Sequence, residues 1–353
     1  MLEKKLIQIL KKREQENALR SLTLTTNRVD FFSNDYLGFS KKKWVSTLSN
    51  GSTGSRLLSG NSQIHIDCEN FLSNFYQTES ALLFQSGYDA NLGFFSCVPQ
   101  KNDTIIYDEL CHASIRDGMR LGKARNFSFR HNDLDHLNEK INQATGNCFV
   151  VVESVYSMDG DFSPLNEISK LCQQKGANLV IDEAHASGIF GPMGQGIGYD
   201  IPSFARIHTF GKAFGCHGAV IVGSSVLIDF LINFSRPLIY TTALSPHSVS
   251  CILQAHQEIS NCSEINQLHQ NINLFKKHIR NPKLIDSDSA IQCIIISGNN
   301  DCKKTAQKIQ SEGLDVRPIL HPTVKQGQER LRICLHSYNT KEEILHLCQQ
   351  LNQ

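Results

Sequence analysis

Lys212 is the residue whose setting most suggests covalent chemistry. It stands in Arg206-Ile-His-Thr-Phe-Gly-Lys-Ala-Phe-Gly-Cys-His-Gly218 and is the only lysine between Lys175 and Lys276. Lysines usually crowd solvated faces. This one follows an extended, largely apolar approach, with Gly211 and Gly215 on either side and aromatics beyond them. Poor hydration lowers a lysine's pKa toward a reactive free amine, the condition for a Schiff-base lysine. A loop lysine that happens to lie between glycines is the other reading. A phosphate-binding Walker loop is excluded, because Arg206 occupies the first glycine position and Ala213 the Ser/Thr position.

Other groups could serve such an amine. Asn178-Leu-Val-Ile-Asp-Glu-Ala-His185 runs three apolar residues into Asp182, with His185 three positions on. In open α/β sheets ligands bind beyond the carboxyl ends of strands, which places Asp182 for chemistry. A metal site is the rival reading of this pair. The strand Ala81-Leu-Leu-Phe84, then Ser86-Gly87-Tyr88 opening a helix, is an anion site by its free N–H groups and helix dipole. His112 lies just past the strand 103–107 and either stacks on a ligand or is structural. Arg330-Leu-Arg332 alternates on a strand, making either a carboxylate clamp or a solvated face. Arg20 is an anion contact or a charge at a helix C-terminus. The Gly/Ser loop from Gly51 to Gly60 could cradle a phosphate. The glycine-dense stretch 188–198 lacks the strand-turn-helix context of a dinucleotide loop.

Elements must position these groups. Helical and extended patterns alternate from 63 to 223, which predicts a mostly parallel sheet covered on both faces. All the candidates of that region then fall on one sheet edge. An amphipathic arm helix is expected over Leu2–Leu19, packed on another surface. Beyond residue 258 the composition turns to Asn, Gln, His and Lys, and short strands at 290–296 and 330–334 alternate with helices near 301–312 and 341–351. The expected organisation is an arm at 1–38, a large domain at 39–258 and a small α+β domain at 259–353.

The 353 residues suit two domains. A formal net charge of +1, from 35 basic and 34 acidic residues, argues against bulk-charge binding of nucleic acid or membrane surfaces. Met1-Leu-Glu-Lys-Lys lacks the features of a signal peptide, and no run approaches a membrane span. Twelve cysteines without Cys-x-x-Cys or zinc spacing read as buried thiols of a reducing cytosol. A cytoplasmic protein without a metal is the expectation.

An isolated amine, a carboxylate, imidazoles and a phosphate nest together suit pyridoxal 5′-phosphate (PLP), whose aldehyde needs the amine and whose ring nitrogen needs the carboxylate. The motifs extend this. Ser33-Asn-Asp-Tyr-Leu-Gly38, Gly54-Ser-Arg-Leu-Leu-Ser-Gly60, His112-Ala-Ser114, Ser157-Met-Asp-Gly160, Asp182-Glu-Ala-His185, Thr209-Phe-Gly-Lys212, Ile239-Tyr-Thr-Thr242, Ser289-Ala-Ile-Gln292 and Arg330-Leu-Arg332 together resemble the α-oxoamine synthase family of fold-type I PLP enzymes. The resemblance covers the chain from Asn17 to the C-terminus.

It implies a seven-stranded-type sheet and a homodimer with shared sites. By residue, it implies Lys212 as the lysine that holds the cofactor and Asp182 on its ring nitrogen. His185 and Ser157 would contact the phenolic oxygen, and His112 would stack on the ring. Gly87, Tyr88 and Thr209 would hold the phosphate, with Thr242 reaching in from the second subunit. Arg332 would clamp the amino-acid carboxylate, and Asn34 and Arg20 would line the acyl side. Ser289-Ala-Ile-Gln292 leans toward the biotin branch, which condenses L-alanine with pimeloyl-CoA or a pimeloyl carrier protein to give 8-amino-7-oxononanoate, CO2 and free thiol. A 2-amino-3-ketobutyrate ligase, joining glycine to acetyl-CoA, or another acyl-CoA C-acyltransferase of the family is the alternative. The chain departs from the family at a shortened 40–51 segment, at Ser154 for glycine, Glu183 for aspartate, Ala186-Ser187 for Gly-Thr and Asn339 for histidine.

Overall fold

Runs of five or six residues, largely apolar except in one edge strand and each closed by a turn or a helix start, build the central sheet of the computed structural model. The structure describes every residue except Met1, Thr23, Thr25, Thr26 and Asn261; the first four belong to the expected N-terminal arm, and that part of the expectation lies outside the described residues. The strands of this sheet are β1 (Ser80–Phe84), β2 (Thr104–Asp108), β3 (Arg125–Phe129), β4 (Cys148–Glu153), β5 (Asn178–Asp182), β6 (Ala205–Thr209) and β7 (Ala219–Gly223). Their order is β1-β7-β6-β5-β4-β2-β3. Neighbours from β3 to β6 run parallel, and β7 is antiparallel to both β6 and β1. The sheet is thus α/β and mostly parallel, as expected from the alternation of patterns.

Burial follows the pleat. Ile105, Phe149, Val151, Val180 and Ile207 face one cluster with Phe94, Phe95 and Ile115. The intervening Ile106, Val150, Val152, Leu179 and Ile181 face another with Leu137, Ile168 and Cys172. Side chains alternate across a strand, so a run apolar at every position is one that buries both faces. All six residues of β4 are buried. The edge strand β3 is exposed at four of its five positions, and this polar run carries little strand signal in the sequence.

The helix α1 (Gln63–Phe75) precedes β1, and α2 (Gly87–Cys97), α3 (Ala113–Leu121), α4 (Leu134–Asn142) and α5 (Leu165–Lys175) separate the strands from β1 to β5. Three of them, α2, α3 and α4, start beside the carboxyl ends of β1, β2 and β3 and carry side-chain caps. Ser86 caps α2, accepting the Asp89 N–H at 3.1 Å, and His112 caps α3 through its ring, accepting the Ser114 N–H at 3.2 Å.

The chain divides into two compact units, 37–157 with 162–265, and 1–36 with 158–161 and 266–353. The larger holds the seven-stranded sheet. The smaller has an antiparallel sheet of β8 (Leu284–Ile285), β9 (Ile291–Ile295), β10 (Arg317–Ile319) and β11 (Arg330–Cys334), ordered β10-β11-β9-β8. The N-terminal helix Leu2–Gln15 belongs to this unit and buries none of its residues. Leu2, Leu6, Ile7 and Leu10 are exposed on it. No helix of the described residues is long and apolar enough to cross a membrane.

Candidate active site

Strand register brings the chemistry together. The parallel pairing of β4 and β5 sets Glu153 beside Asp182 at their carboxyl ends, and β6 lies next with Ile207 opposite Asp182. Past Thr209 the chain turns through Lys212 and returns as β7. The turn is closed by Phe210 N–H to Gly218 O (2.9 Å), Cys216 N–H to Phe210 O (2.8 Å) and Gly215 N–H to Lys212 O (2.9 Å). Gly215 has a φ of +60°, and a Cβ there would lie 2.1 Å from the Ser40 amide nitrogen. That glycine serves the turn. Gly211 is not crowded, since a Cβ there would make only an ordinary contact, 3.6 Å from the Cys216 carbonyl oxygen.

These ends surround a cavity of about 150 Å³ in the larger unit, lined by Lys212, Asp182, His185, His112, Thr209, Gly87 and Tyr88. Lys212 Nζ lies 2.8 Å from His185 Nε2 and is half-buried, so the amine is partly screened from water. Asp182 is 4% exposed; its Oδ1 accepts the Ala184 N–H at 2.9 Å and its Oδ2 accepts from Asn91 Nδ2 at 2.8 Å. A carboxylate fixed on both oxygens suits a single fixed cationic partner. His112 forms one wall, with the Tyr88 ring edge-on to it at 6.5 Å between centroids.

A phosphate end is recognisable too. Because Ser86 takes the Asp89 amide, the Gly87 and Tyr88 N–H groups at the start of the eleven-residue α2 have no acceptor among the described residues. Thr209 crowds Gly87 so closely that a Cβ would come within 3.2 Å of its Cβ and 3.3 Å of its Oγ1. Two free amides, a hydroxyl and a helix N-terminus fit a phosphate dianion. At the other end stand the lysine and the carboxylate. The residues present therefore fit PLP along its whole length.

Five members of the cavity were given no role from the sequence: Glu153, Asn91, Ser114, Ala184 and Ile207. Glu153 is 2% exposed, and burial followed by the neighbouring Asp182 charge pushes its carboxyl up to about 8, against the pull of Lys212 and of the His112 and Ser157 amides. It ends an apolar strand just as Asp182 does, and that shared position was the signal. Asn91 and Ser114 lie inside helices, where only packing reveals their direction.

Other expected residues lie outside the cavity lining. Ser157 is buried near the Glu153 carboxyl. Thr242 is exposed, and its carbonyl accepts from Gln85 Nε2. In the smaller unit, Arg332 is 8% exposed and donates to Asn34 Oδ1 through Nη2 and to Cys334 Sγ through Nη1, both at 3.0 Å. Arg330 pairs instead with Asp159. The two arginines are buried, so the solvated-face reading does not hold, and they take different partners. Arg20 is exposed and donates to Thr323 Oγ1 at 3.1 Å.

The family of class I and II aminotransferases matches residues 26–351. An 8-amino-7-oxononanoate synthase of Emericella nidulans is 38% identical over 95% of this chain and 91% of its own. Among solved structures, serine palmitoyltransferase of Sphingomonas wittichii superposes with a TM-score of 0.91 at 28% identity, covering 99% of this chain and 96% of that one. The 8-amino-7-oxononanoate synthase of Francisella tularensis matches at a TM-score of 0.77 and 28% identity, over 92% of this chain and 97% of that one. A serine palmitoyltransferase structure that carries PLP matches at a TM-score of 0.88 and 26% identity, over 98% of this chain and 96% of that one. The chain belongs to the class I and II aminotransferase family, and within it to the α-oxoamine synthases of fold type I. It is a PLP-dependent acyltransferase, similar to the 8-amino-7-oxononanoate synthases.

Proposed function

We propose that this enzyme condenses L-alanine with a pimeloyl thioester, carried by CoA or a carrier protein, to give 8-amino-7-oxononanoate, CO2 and free thiol in biotin biosynthesis. The observation that carries the reading is one cavity holding Lys212, Asp182 and the free amides of α2, in a chain 38% identical to a synthase of that name. PLP supplies an aldehyde for the lysine and a protonated ring that takes up the electron pair released at the amino acid's α-carbon.

The chain's own groups do the rest. Lys212 Nζ would hold the aldehyde carbon and, as a free amine, would take the α-proton of alanine and return a proton after CO2 leaves. His185, within 2.8 Å, orients that amine. Asp182 holds the proton on the ring nitrogen. His112 would cover one face of the ring, and His185 with Ser157 would contact its phenolic oxygen. The Gly87 and Tyr88 amides, Thr209 and Thr242 of a second copy hold the phosphate. Arg332 takes the amino-acid carboxylate, with Asn34 and Arg20 on the acyl side. The working form is proposed to be a cytoplasmic homodimer, with the arm and the 51–60 loop at its shared sites.

The high structural likeness to serine palmitoyltransferase supports a second reading, another amino acid joined to a longer acyl thioester. The test has two arms. Borohydride reduction of the purified yellow protein, followed by peptide mapping, is expected to place the label on Lys212; a label elsewhere, or none, overturns the site. Mass spectrometry of the product from alanine, glycine or serine with pimeloyl-, acetyl- or palmitoyl-CoA, and with pimeloyl carrier protein, then decides the substrates. Alanine with a pimeloyl thioester is expected to give the main product.

A further inference from the structure

Asn91 is a costly residue to place where it lies. It sits inside α2, where asparagine is a poor helix former, is 2% exposed, and leaves its Oδ1 without a partner among the described residues. A hydrophobic residue would pack there without that loss. What Asn91 does is spend both hydrogens of its Nδ2, one on Asp182 Oδ2 at 2.8 Å and one on Ser114 Oγ at 3.0 Å. The reversed amide would aim its oxygen at the Asp182 carboxylate, so chemistry fixes this orientation.

Ser114 is fully buried and passes the connection on. Its Oγ, having accepted from Asn91, lies 2.7 Å from His112 Nδ1. The same ring nitrogen accepts the Ser114 backbone N–H at 3.2 Å. A nitrogen that accepts a backbone N–H carries no proton of its own, so the Ser114 hydroxyl donates to it as well and the imidazole proton is on Nε2. Nε2 has no partner among the described residues. The path depends on a close approach of α2 and α3: at Gly118 a Cβ would come within 2.8 Å of Phe95 Cβ and 2.9 Å of the Asn91 carbonyl oxygen.

We propose that Asn91 and Ser114 are positioning residues that lock His112 in its neutral Nε2–H form and tie its ring to Asp182, so that the wall and the carboxylate of the cavity are set as one unit. Protonating Nδ1 would break the cap of α3 and force the Ser114 hydroxyl to reverse its bond. Burial also lowers the His112 pKa, and the charges that face it are those of Asp182, Lys212, Asp117, Arg116 and the carboxyl of Glu153. The importance of this relay for catalysis rests on the proposed function; the relay itself does not.

The test is an NMR titration of histidine-labelled full-length protein, with PLP removed and then restored. The His112 signal is assigned by its loss in His112→Gln. The wild type is expected to show the Nε2–H tautomer. Ser114→Ala removes one donor to Nδ1, so the His112 pKa is expected to rise by about one unit, a tenfold change in proton affinity. Asn91→Ala is expected to move it the same way, and Ser114→Thr to restore it. An Nδ1–H tautomer in the wild type overturns the proposal. So does an unmoved pKa in whichever of Ser114→Ala and Asn91→Ala retains the wild-type circular dichroism. The titration needs no cofactor, so its outcome and that of the Lys212 labelling stand separately.

Discussion

Two carboxyls end adjacent strands in this cavity, and their surroundings differ. Asp182 is gripped by Asn91 and the Ala184 amide, whereas Glu153 has one oxygen without a partner among the described residues and its carboxyl is pushed up to about 8. Glu153 thus keeps its proton at neutral pH, which relieves the repulsion of two like charges at one site. The sign of the linkage follows. A carboxyl whose folded pKa exceeds its ordinary value of 4.5 contributes stability that is fully present below that value and is lost as pH rises through about 8. Glu153→Gln is therefore expected to flatten the fall in unfolding free energy across that window, measured by urea titration at several pH values; an unchanged slope would show that Glu153 is ionised in the folded protein. Two departures from the family also meet at this scale. Ser154 Oγ donates to Glu183 Oε2 at 2.6 Å, both fully buried, so the added hydroxyl serves the longer acid.

Among the elements, the turn between β6 and β7 sets where Lys212 stands. Its shape requires Gly215 in the left-handed region, pressed against the backbone of Phe39 and Ser40. A side chain there meets backbone, which cannot rotate away. Gly215→Ala is expected to cost about 2 kcal/mol or more, read by urea denaturation, and to lower the yield of borohydride label on Lys212. Gly211→Ala, where a Cβ would make only an ordinary contact, is the control and is expected to change stability by less than about 1 kcal/mol. The glycine-dense stretch 188–198 has a structural use of the same kind. A Cβ on Gly196 would come within 2.7 Å of Glu183, whose carboxylate accepts the Ile197 and Gly198 amides at 3.2 and 2.5 Å. The density of glycine there wraps backbone around a buried acid.

For the molecule as a whole, the cavity and every group proposed to hold the cofactor within one chain belong to the larger unit. A ligand that binds only the folded form stabilises it by RT ln(1 + [L]/Kd), about 2.7 kcal/mol at a hundredfold excess over Kd. PLP is therefore expected to raise the melting temperature and to slow amide exchange at the carboxyl ends of β4, β5 and β6, by hydrogen-exchange mass spectrometry. Lys212→Ala is expected to reduce both effects. Slower exchange confined to the antiparallel sheet of the smaller unit would contradict the site.

How much was legible depended on whether a signal was local. The apolar runs of β1, β2, β4, β5, β6 and β7, the glycines about Lys212 and the strand-end position of Asp182 lie in consecutive residues, so the sequence by itself determined the sheet, its mostly parallel sense and the lysine and carboxylate at one edge. The polar edge strand β3 gave no such pattern. The tertiary structure alone decided that Glu153 stands beside Asp182, that Arg330 goes to Asp159 while Arg332 meets Asn34, and that Asn91 links Asp182 to His112 through Ser114. Those pairs join residues far apart in the chain, and their contacts are set by strand register and helix packing, which no single stretch of sequence contains.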